Sequence, residues 1–400
     1  MLACLTALCV AQTASAQPRA VLPANRDLSR YGLELHWWGQ AVIDPGQDQV
    51  SNVNVDEDIV YLQSDDGIVT AFQAESGKKL WAQLLGSPYK VLLPMSTNER
   101  DAFVCNGQQL FGLNKFTGEV AWELKLPHQP STSPEADNDR VFLGMVDGSV
   151  YCYDLARIRK LAEQGRLPRW SANAYQWRHK AAQEITSPPI SNGQTVVFGS
   201  LNGTIYSVKT LDHRLVFQFE TDEPIPTPIG RGADSLFVVS EDTRMYCLNR
   251  ESGLRRWTFT AGVPIRTEPR VIGGSVYVAP VREGLYCLSA AGGTINWHQS
   301  RAAAFLAATD NYVFAADSLN NVLLLSPQDG GVLGELPLRG YTQLLPNDRT
   351  NRLFMCSSDG LVICIREKGQ EFPLYHKFPE RRPILPELAA DESPAESAKQ

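Results

Sequence analysis

The chain is short of the residue patterns that most often carry chemistry. Six histidines are scattered along 400 residues, and neither H-E-x-x-H nor a histidine close to C-x-x-C occurs, so no local zinc signature is present. A Walker loop, a G-x-G-x-x-G fingerprint and a G-x-S-x-G elbow are all missing, which removes the local marks of phosphate, dinucleotide and acyl-transfer sites. No two cysteines are adjacent, and there is no C-x-x-C-H haem site. Positive charge is in deficit, with 37 Lys and Arg against 44 Asp and Glu and a net charge of −7. A whole-chain nucleic-acid role needs a positive field, and this balance argues against one. No apolar run reaches the 18 residues a spanning helix requires. These absences lead to the expectation of a non-catalytic chain with no cofactor and no metal.

Turn formers and aromatics are plentiful, with 30 Gly, 25 Pro, 13 Tyr and 8 Trp. Apolar residues make up 43% and charged residues 20%, the balance of a soluble globular protein. The first residues, from Leu2 to Ala11, form an apolar run of signal-peptide length, followed by the small-residue site Ala14-Ser15-Ala16. The sequence therefore predicts an exported protein with a signal peptide over 1–16 and a linker over 17–30. Neither Cys4 nor Cys9 sits in a good lipobox, so a lipid anchor is not expected.

Internal spacing is the strongest signal. Tryptophan recurs after glycine in Gly77-x-x-x-Trp81, Gly118-x-x-x-Trp122, Gly253-x-x-x-Trp257 and Gly293-x-x-x-Trp297. Trp177, Phe217, Trp257 and Trp297 follow at steps of 40, and Trp122 to Trp177 is 55, a surplus of 15 that marks an insertion. A β-rich run ending in an aromatic precedes each mark: Val60-Tyr61, Ala102-Phe103, Val141-Phe142, Val197-Phe198, Leu236-Phe237, Val276-Tyr277, Val313-Phe314 and Leu353-Phe354. Turn pairs such as Asp66-Gly67, Asp147-Gly148, Asn202-Gly203 and Asp359-Gly360 follow these runs and close tight hairpins. Eight copies of a forty-residue, four-strand unit predict an all-β chain, a single eight-bladed β-propeller.

The same alignment places Cys152, Cys247, Cys287 and Cys364 at one equivalent position in the third strand, shared with Ala71, Gly112, Ser207 and Leu325. Seven of these eight are small, which predicts a crowded layer where cysteine acts as a small hydrophobe rather than a disulfide partner. Cys356 and Cys364, flanking one hairpin, are the pair to check. The eighth unit lacks a Trp-bearing fourth strand, while Leu33 to Gln40, which contains Trp37-Trp38, is an outer strand with no unit of its own. That segment is expected to close the ring, in preference to Glu371–Lys377. The propeller then covers 31–378, with an insertion at 155–176. Residues 379–400, acidic and proline-containing, are expected to be a disordered tail.

Segments such as Thr117-Gly118-Glu119-Val120-Ala121-Trp122 and Val141-Phe142-Leu143-Gly144-Met145-Val146-Asp147-Gly148-Ser149-Val150-Tyr151 resemble the pyrroloquinoline-quinone-type propeller repeat. The resemblance runs from about Leu33 to Lys377. One branch that shares it is the quinoprotein dehydrogenases, which are much longer and carry a vicinal cysteine pair and a calcium-binding acidic set. The other is the non-enzymatic BamB-like propellers of bacterial outer-membrane protein assembly. The missing Cys-Cys pair favours the second branch, which implies a scaffold in the periplasm or cell envelope with protein partners. A small quinoprotein enzyme is the alternative. No family binding residue maps onto this sequence.

Two places are candidates for binding. In the insertion, Leu155, Ile158, Leu161 and Ala162 follow helical spacing, and from Leu155 to Lys180 seven Lys or Arg face one Glu. This segment carries +6 and the rest of the chain −13, a contrast that could steer an acidic partner or a membrane surface. The residues expected to make partner contact are Arg157, Arg159, Lys160, Arg166, Arg169 and Arg178. The second place is the axial channel, where Thr132-Ser133-Pro134, Thr186-Ser187-Pro188, Pro226-Thr227-Pro228 and Arg266-Thr267-Glu268-Pro269 are expected to face the axis, with their hydroxyls satisfying backbone groups.

Overall fold

Turn chemistry sets the fold. In the computed structural model, which describes residues 20–377 except 45, 88, 168–170 and 172–173, the expected Asp-Gly and Asn-Gly turns place Gly67, Gly148, Gly203 and Gly360 at φ of +89°, +80°, +82° and +83°. Glycine adopts that region without a Cβ penalty. A second set of turns joins the first strand of a unit to the second. Asp56, Asn98, Asp137, Asn192 and Asn347 each accept, through Oδ1, the backbone N–H groups two and three residues onward. Such Asx turns replace two backbone partners at a chain reversal. The predicted leader (1–16) and tail (379–400) lie outside the described residues.

Between these turns the chain forms eight antiparallel sheets of four strands each. In chain order the blades occupy 50–84, 96–125, 135–180, 185–220, 230–260, 270–299 and 302–336, with the eighth made of 343–367 plus the N-terminal strand. Leu33–Gln40 pairs with Leu361–Glu367 from Leu33↔Glu367 to Gln40↔Leu361, so the Trp37-Trp38 segment closes the ring. The rival segment contributes a single bridge, Thr350↔Tyr375. Apolar side chains gather in eight clusters, and each cluster draws its residues from two neighbouring blades. The core is therefore a set of radial layers between sheets.

Pairing registers correct two assignments. In blade 4 it is Val197, not Phe198, that faces Ser207 and through it Phe217. In blade 7 the shared third-strand position is Leu324, not Leu325, since Phe314 pairs with Leu324 and Leu324 with Gly334. Both errors have one cause. Val196-Val197-Phe198 and Val322-Leu323-Leu324-Leu325 are apolar at every position and buried on both faces, so a period of two is invisible there. Elsewhere the small residue pairs with the outer-strand ring: Ala71 with Trp81, Gly112 with Trp122, Cys152 with Trp177, Cys247 with Trp257, Cys287 with Trp297 and Cys364 with Trp37. The indole lies over its neighbour, and a Cβ at Gly112 would clash with the ring of Trp122. Cys105, Cys152, Cys247, Cys287, Cys356 and Cys364 are all free and buried, and burial pushes their thiols up.

The Gly-x-x-x-Trp spacing serves two blades at once. The glycine covers the tryptophan of the preceding blade, while its own tryptophan awaits the following one. Gly77 lies on Trp37, Gly118 on Trp81, Gly253 on Phe217, Gly293 on Trp257 and Gly330 on Trp297. Beside the glycine, the indole N–H donates to a carbonyl of the covering blade: Trp37 to Ala74 (2.9 Å), Trp81 to Lys115 (2.8 Å), Trp257 to Ala290 (3.0 Å) and Trp297 to Pro327 (3.0 Å). In blade 4 His213, at φ +50°, takes the glycine position with its ring 5.8 Å from that of Trp177, and Trp177 donates to Thr210 (2.7 Å).

Two blades lack this loop, and other segments stand in. In blade 3 the connection is the insertion helix, Leu155–Glu163, whose Leu155 and Ile158 share a buried cluster with Trp122 of blade 2. In blade 8 the connection is interrupted because its outer strand comes from the N-terminus. There the segment 20–31, with its short helix Asn25–Ser29, fills the gap. Leu28 is fully buried, and the ring of Tyr31 lies against Gly334, which occupies the tryptophan position of blade 7.

Candidate functional site

The insertion helix, Leu155–Glu163, begins where Asp154 caps it by accepting from the backbone N–H of Arg157 (2.8 Å). Leu155 and Ile158 are buried, as is Leu167 just beyond the helix. Arg159 turns back to the ring and pairs with Asp101 of blade 2. This apolar face and one ion pair fix the helix on the outer rim between blades 2 and 3. Arg157 and Lys160 project outward and are exposed, and Arg166 is exposed on the following turn, with a contact to Gln164 at 3.4 Å.

Of the six predicted contact residues, the five that are described divide between the insertion helix region and the outer strand Tyr175–Lys180. Arg157, Lys160 and Arg166 belong to the projecting helix region. Arg159 is committed to Asp101. Arg178 lies on the outer strand Tyr175–Lys180, where its guanidinium stacks 5.8 Å from the Tyr151 ring centroid, donates to Ser149 (2.9 Å) and approaches Asp147 (3.7 Å). Lys180 and His128 also face Asp147, at 3.5 and 3.8 Å. Burial acts to raise the Asp147 pKa, but hydrogen bonds from Ser149 and the charges of Lys180 and His128 outweigh it and hold the carboxyl below its usual value. Arg169 lies outside the described residues.

Along the axis, three of the predicted hydroxyls bond to backbone: Thr186 donates to the Ile225 carbonyl (2.7 Å), Thr227 to Pro228 (3.1 Å) and Thr267 to Ala279 (3.0 Å). In blade 3 the expectation fails, since the Thr132 hydroxyl is buried without a hydrogen-bond partner and it is the preceding Ser131 that donates, to the Ile185 carbonyl (2.6 Å). Arg266 and Glu268 separate: Arg266 reaches Glu241 at 3.5 Å, and Glu268 pairs with Arg270 at 2.7 Å. Glu268–Arg270 opens a chain of ion pairs the sequence reading missed. Arg270 faces Asp348 (3.8 Å), Asp348 faces Arg349 (3.9 Å) and Arg349 pairs with Glu57 (2.8 Å), while Arg231 pairs with Glu135 across blades 5 and 3. Burial raises the pKa of Glu268 despite Arg270. Two cavities adjoin this chain. One of about 560 Å³ is lined by the first hairpin turns of blades 1 to 4 together with Lys115 and Arg349. The other, about 230 Å³, lies between Glu268, Arg270, Tyr277, Phe305 and Leu344.

A quinone with calcium, the group carried by one branch of this repeat, does not fit the residues present. The cysteines are single and packed between blades. Among the described residues no three His, Cys, Asp or Glu side chains converge to hold a metal ion, and the axial arginines are engaged with carboxylates.

Eight four-stranded blades, closed by an N-terminal strand and joined by docked tryptophans, define an eight-bladed β-propeller of the quinone-type repeat. Within that class, the family described as outer membrane protein assembly factor BamB matches residues 65–209 and 220–372, and the chain belongs to this family. The curated outer membrane protein assembly factor BamB of Shewanella oneidensis is 23% identical over 208 residues, 50% of this chain and 50% of that protein. The matched region thus spans about half the length of that relative. Among solved structures, BamB from Moraxella catarrhalis superposes with a TM-score of 0.65 at 16% identity, covering 84% of this chain and 98% of that one. The computationally designed Ika8 protein gives 0.63 at 14% identity, covering 82% and 99%. At 14–16% identity these superpositions show the fold alone. No helix among the described residues is long and apolar enough to cross a membrane.

Proposed function

We propose that this chain is an exported, non-catalytic scaffold of the cell envelope that takes part in outer-membrane protein assembly and holds a protein partner through the basic insertion. Family membership supports the assembly role. The observation that carries the contact is the fixed helix: Leu155 and Ile158 buried, Arg159 tied to Asp101, and Arg157 and Lys160 left facing solvent. A rigid support lowers the ordering cost of binding, and exposed cations on a chain of net charge −7 steer an acidic surface toward one side of the ring. Pull-down from an envelope extract compares wild type with the triple variant Arg157→Glu, Lys160→Glu, Arg166→Glu. Arg159 is left intact because it anchors the helix. A tenfold or greater loss of the main co-purifying protein is expected, with the circular dichroism spectrum unchanged. An identical partner set at equal yield would overturn the role of the helix and leave the family assignment standing.

A further inference from the structure

Blades 6 and 7 break the inner-strand pattern at adjoining places. Ser187-Pro188, Thr227-Pro228 and Thr267-Glu268 follow one another at steps of 40, so blade 6 has a carboxylate where blades 4 and 5 have proline. Blade 7 departs one position earlier. Ser187 faces Gly199 and Ala304 faces Ala316, each the penultimate residue of its second strand. Ala304 therefore puts a methyl group where blades 4 to 6 carry Ser187, Thr227 and Thr267, and leaves space beside it.

Between the two departures lies the cavity of about 230 Å³. Its inner wall is apolar. The rings of Tyr277 and Phe305 stack at 4.8 Å between centroids, both are buried together with Leu285, and Leu344 of blade 8 closes another side. Glu268 and Arg270 line the same space 2.7 Å apart, with side chains 27% and 21% exposed, so the charged groups stand toward water and the rings toward the core. Among the described residues the one further ionic contact of this pair is from Arg270 to Asp348 at 3.8 Å. A guanidinium has several N–H donors and a carboxylate several lone pairs, so both keep capacity for a ligand. Burial holds Glu268 above its ordinary pKa despite Arg270, as expected of a carboxylate short of positive charge. A water molecule takes about 30 Å³ of liquid, so the space suits a body of about eight non-hydrogen atoms, smaller than the drug-sized ligands that fill about 300 Å³ or more.

We infer that this cavity binds a small zwitterion with a branched apolar body, the chemistry of a free aliphatic α-amino acid. Glu268 receives the ammonium, Arg270 the carboxylate, and the wall of Tyr277, Leu285 and Phe305 the side chain. A ligand with both charges replaces each side of the Glu268–Arg270 contact with one of its own, whereas a singly charged ligand replaces only one side. The site lies on other blades than the insertion helix, and its occupancy does not depend on the partner role of that helix.

Calorimetric titration and ligand-observed NMR of the full chain test this with three probes that share one apolar body: L-leucine, isoamylamine, which lacks the carboxylate, and isocaproate, which lacks the ammonium. Leucine is expected to bind with a Kd below about 1 mM and each analogue at least about tenfold more weakly. Glu268→Gln keeps the shape of the mouth and should weaken leucine about tenfold while leaving isocaproate unchanged. Ala304→Phe fills the cavity and should abolish binding of all three probes. Circular dichroism confirms that each variant is folded; should the bulkier one fail to fold, Glu268→Gln decides alone. No binding of leucine up to about 10 mM would overturn the inference. So would leucine binding that is unchanged in either folded variant, or an analogue that binds as tightly as leucine, since the mouth would then be a site for a single charge.

Discussion

The seam between blades 8 and 1 holds a deeply buried ion pair, and its removal is the sharpest test of how the ring stays closed. Arg352, with a side chain only 1% exposed, grips Glu75 through two hydrogen bonds of 3.1 and 2.7 Å. His36 stands 3.3 Å and Arg366 3.9 Å from the same carboxylate, and Arg366 is bonded to Glu34 (2.7 Å). Glu75→Gln keeps the shape and one acceptor but leaves the Arg352 charge without its counter-charge. Breaking such a pair on one side costs about 3–5 kcal/mol, and the retained amide places this case near 3. With about 2.1 cal/mol/K per residue of unfolding entropy over some 350 residues, that corresponds to a fall of about 4 °C in the melting temperature. The double variant Glu75→Gln, Arg352→Met should recover most of the loss, because a buried pair replaced whole is often near neutral. Calorimetry and urea titration at neutral pH measure both. A single-variant cost below about 1 kcal/mol, or a double variant that shows the full sum of the two single losses, would refute the reasoning.

The same pair fixes a pH dependence. Burial acts to raise the Glu75 pKa, yet its interactions with His36 and Arg352 outweigh burial and lower it. A carboxylate with a depressed folded pKa contributes stability above its unfolded value near 4.3, and that contribution is lost as pH falls through the folded value. The gap between wild type and Glu75→Gln should therefore be full at pH 6–7 and shrink below about pH 4.

Three further outcomes are expected. Gly118→Ala combines a φ of +72° with a Cβ 2.5 Å from the Trp81 ring and should cost about 3 kcal/mol in urea titration, whereas Gly165→Ala, at +64° in open space, should cost about 1. Tyr31→Ala uncovers Gly334 and should lower stability by about 2 kcal/mol, with proteolysis beginning in the N-terminal 20–32 segment. Asp154→Ala removes the cap of the insertion helix and should cost about 1 kcal/mol, read as faster hydrogen exchange confined to 155–167.

The forty-residue period was enough to count the blades, and the stray Trp37-Trp38 strand was enough to close them, because both depend on local chemistry that repeats. Register failed where repetition hid alternation, as in Val322-Leu323-Leu324-Leu325. The Asx turns at Asp56, Asn98, Asp137 and Asn192 are readable, since in these four units an Asp or Asn stands three residues before the second strand. The ion pairs were not readable. Arg352 and Glu75 are 277 residues apart, and the members of the axial chain belong to different blades, so no spacing marks them. In the insertion, the helix was legible from its apolar period, but which arginines face outward was not. Arg159 and Arg178 find carboxylates on neighbouring strands that only the folded ring brings near.

The two-sided tryptophan connector has a consequence for how such a ring can arise. One forty-residue segment carries the cover for the blade before it and the ring to be covered by the blade after it. A tandem copy of that segment arrives already able to join its parent, and no new interface has to be invented. Growth of this kind is indifferent to number until the circle closes. Departures from the pattern then accumulate where the inherited connector is absent, and here those places hold the chain's least repetitive parts: the basic helix over Trp122 and the N-terminal segment over Gly334.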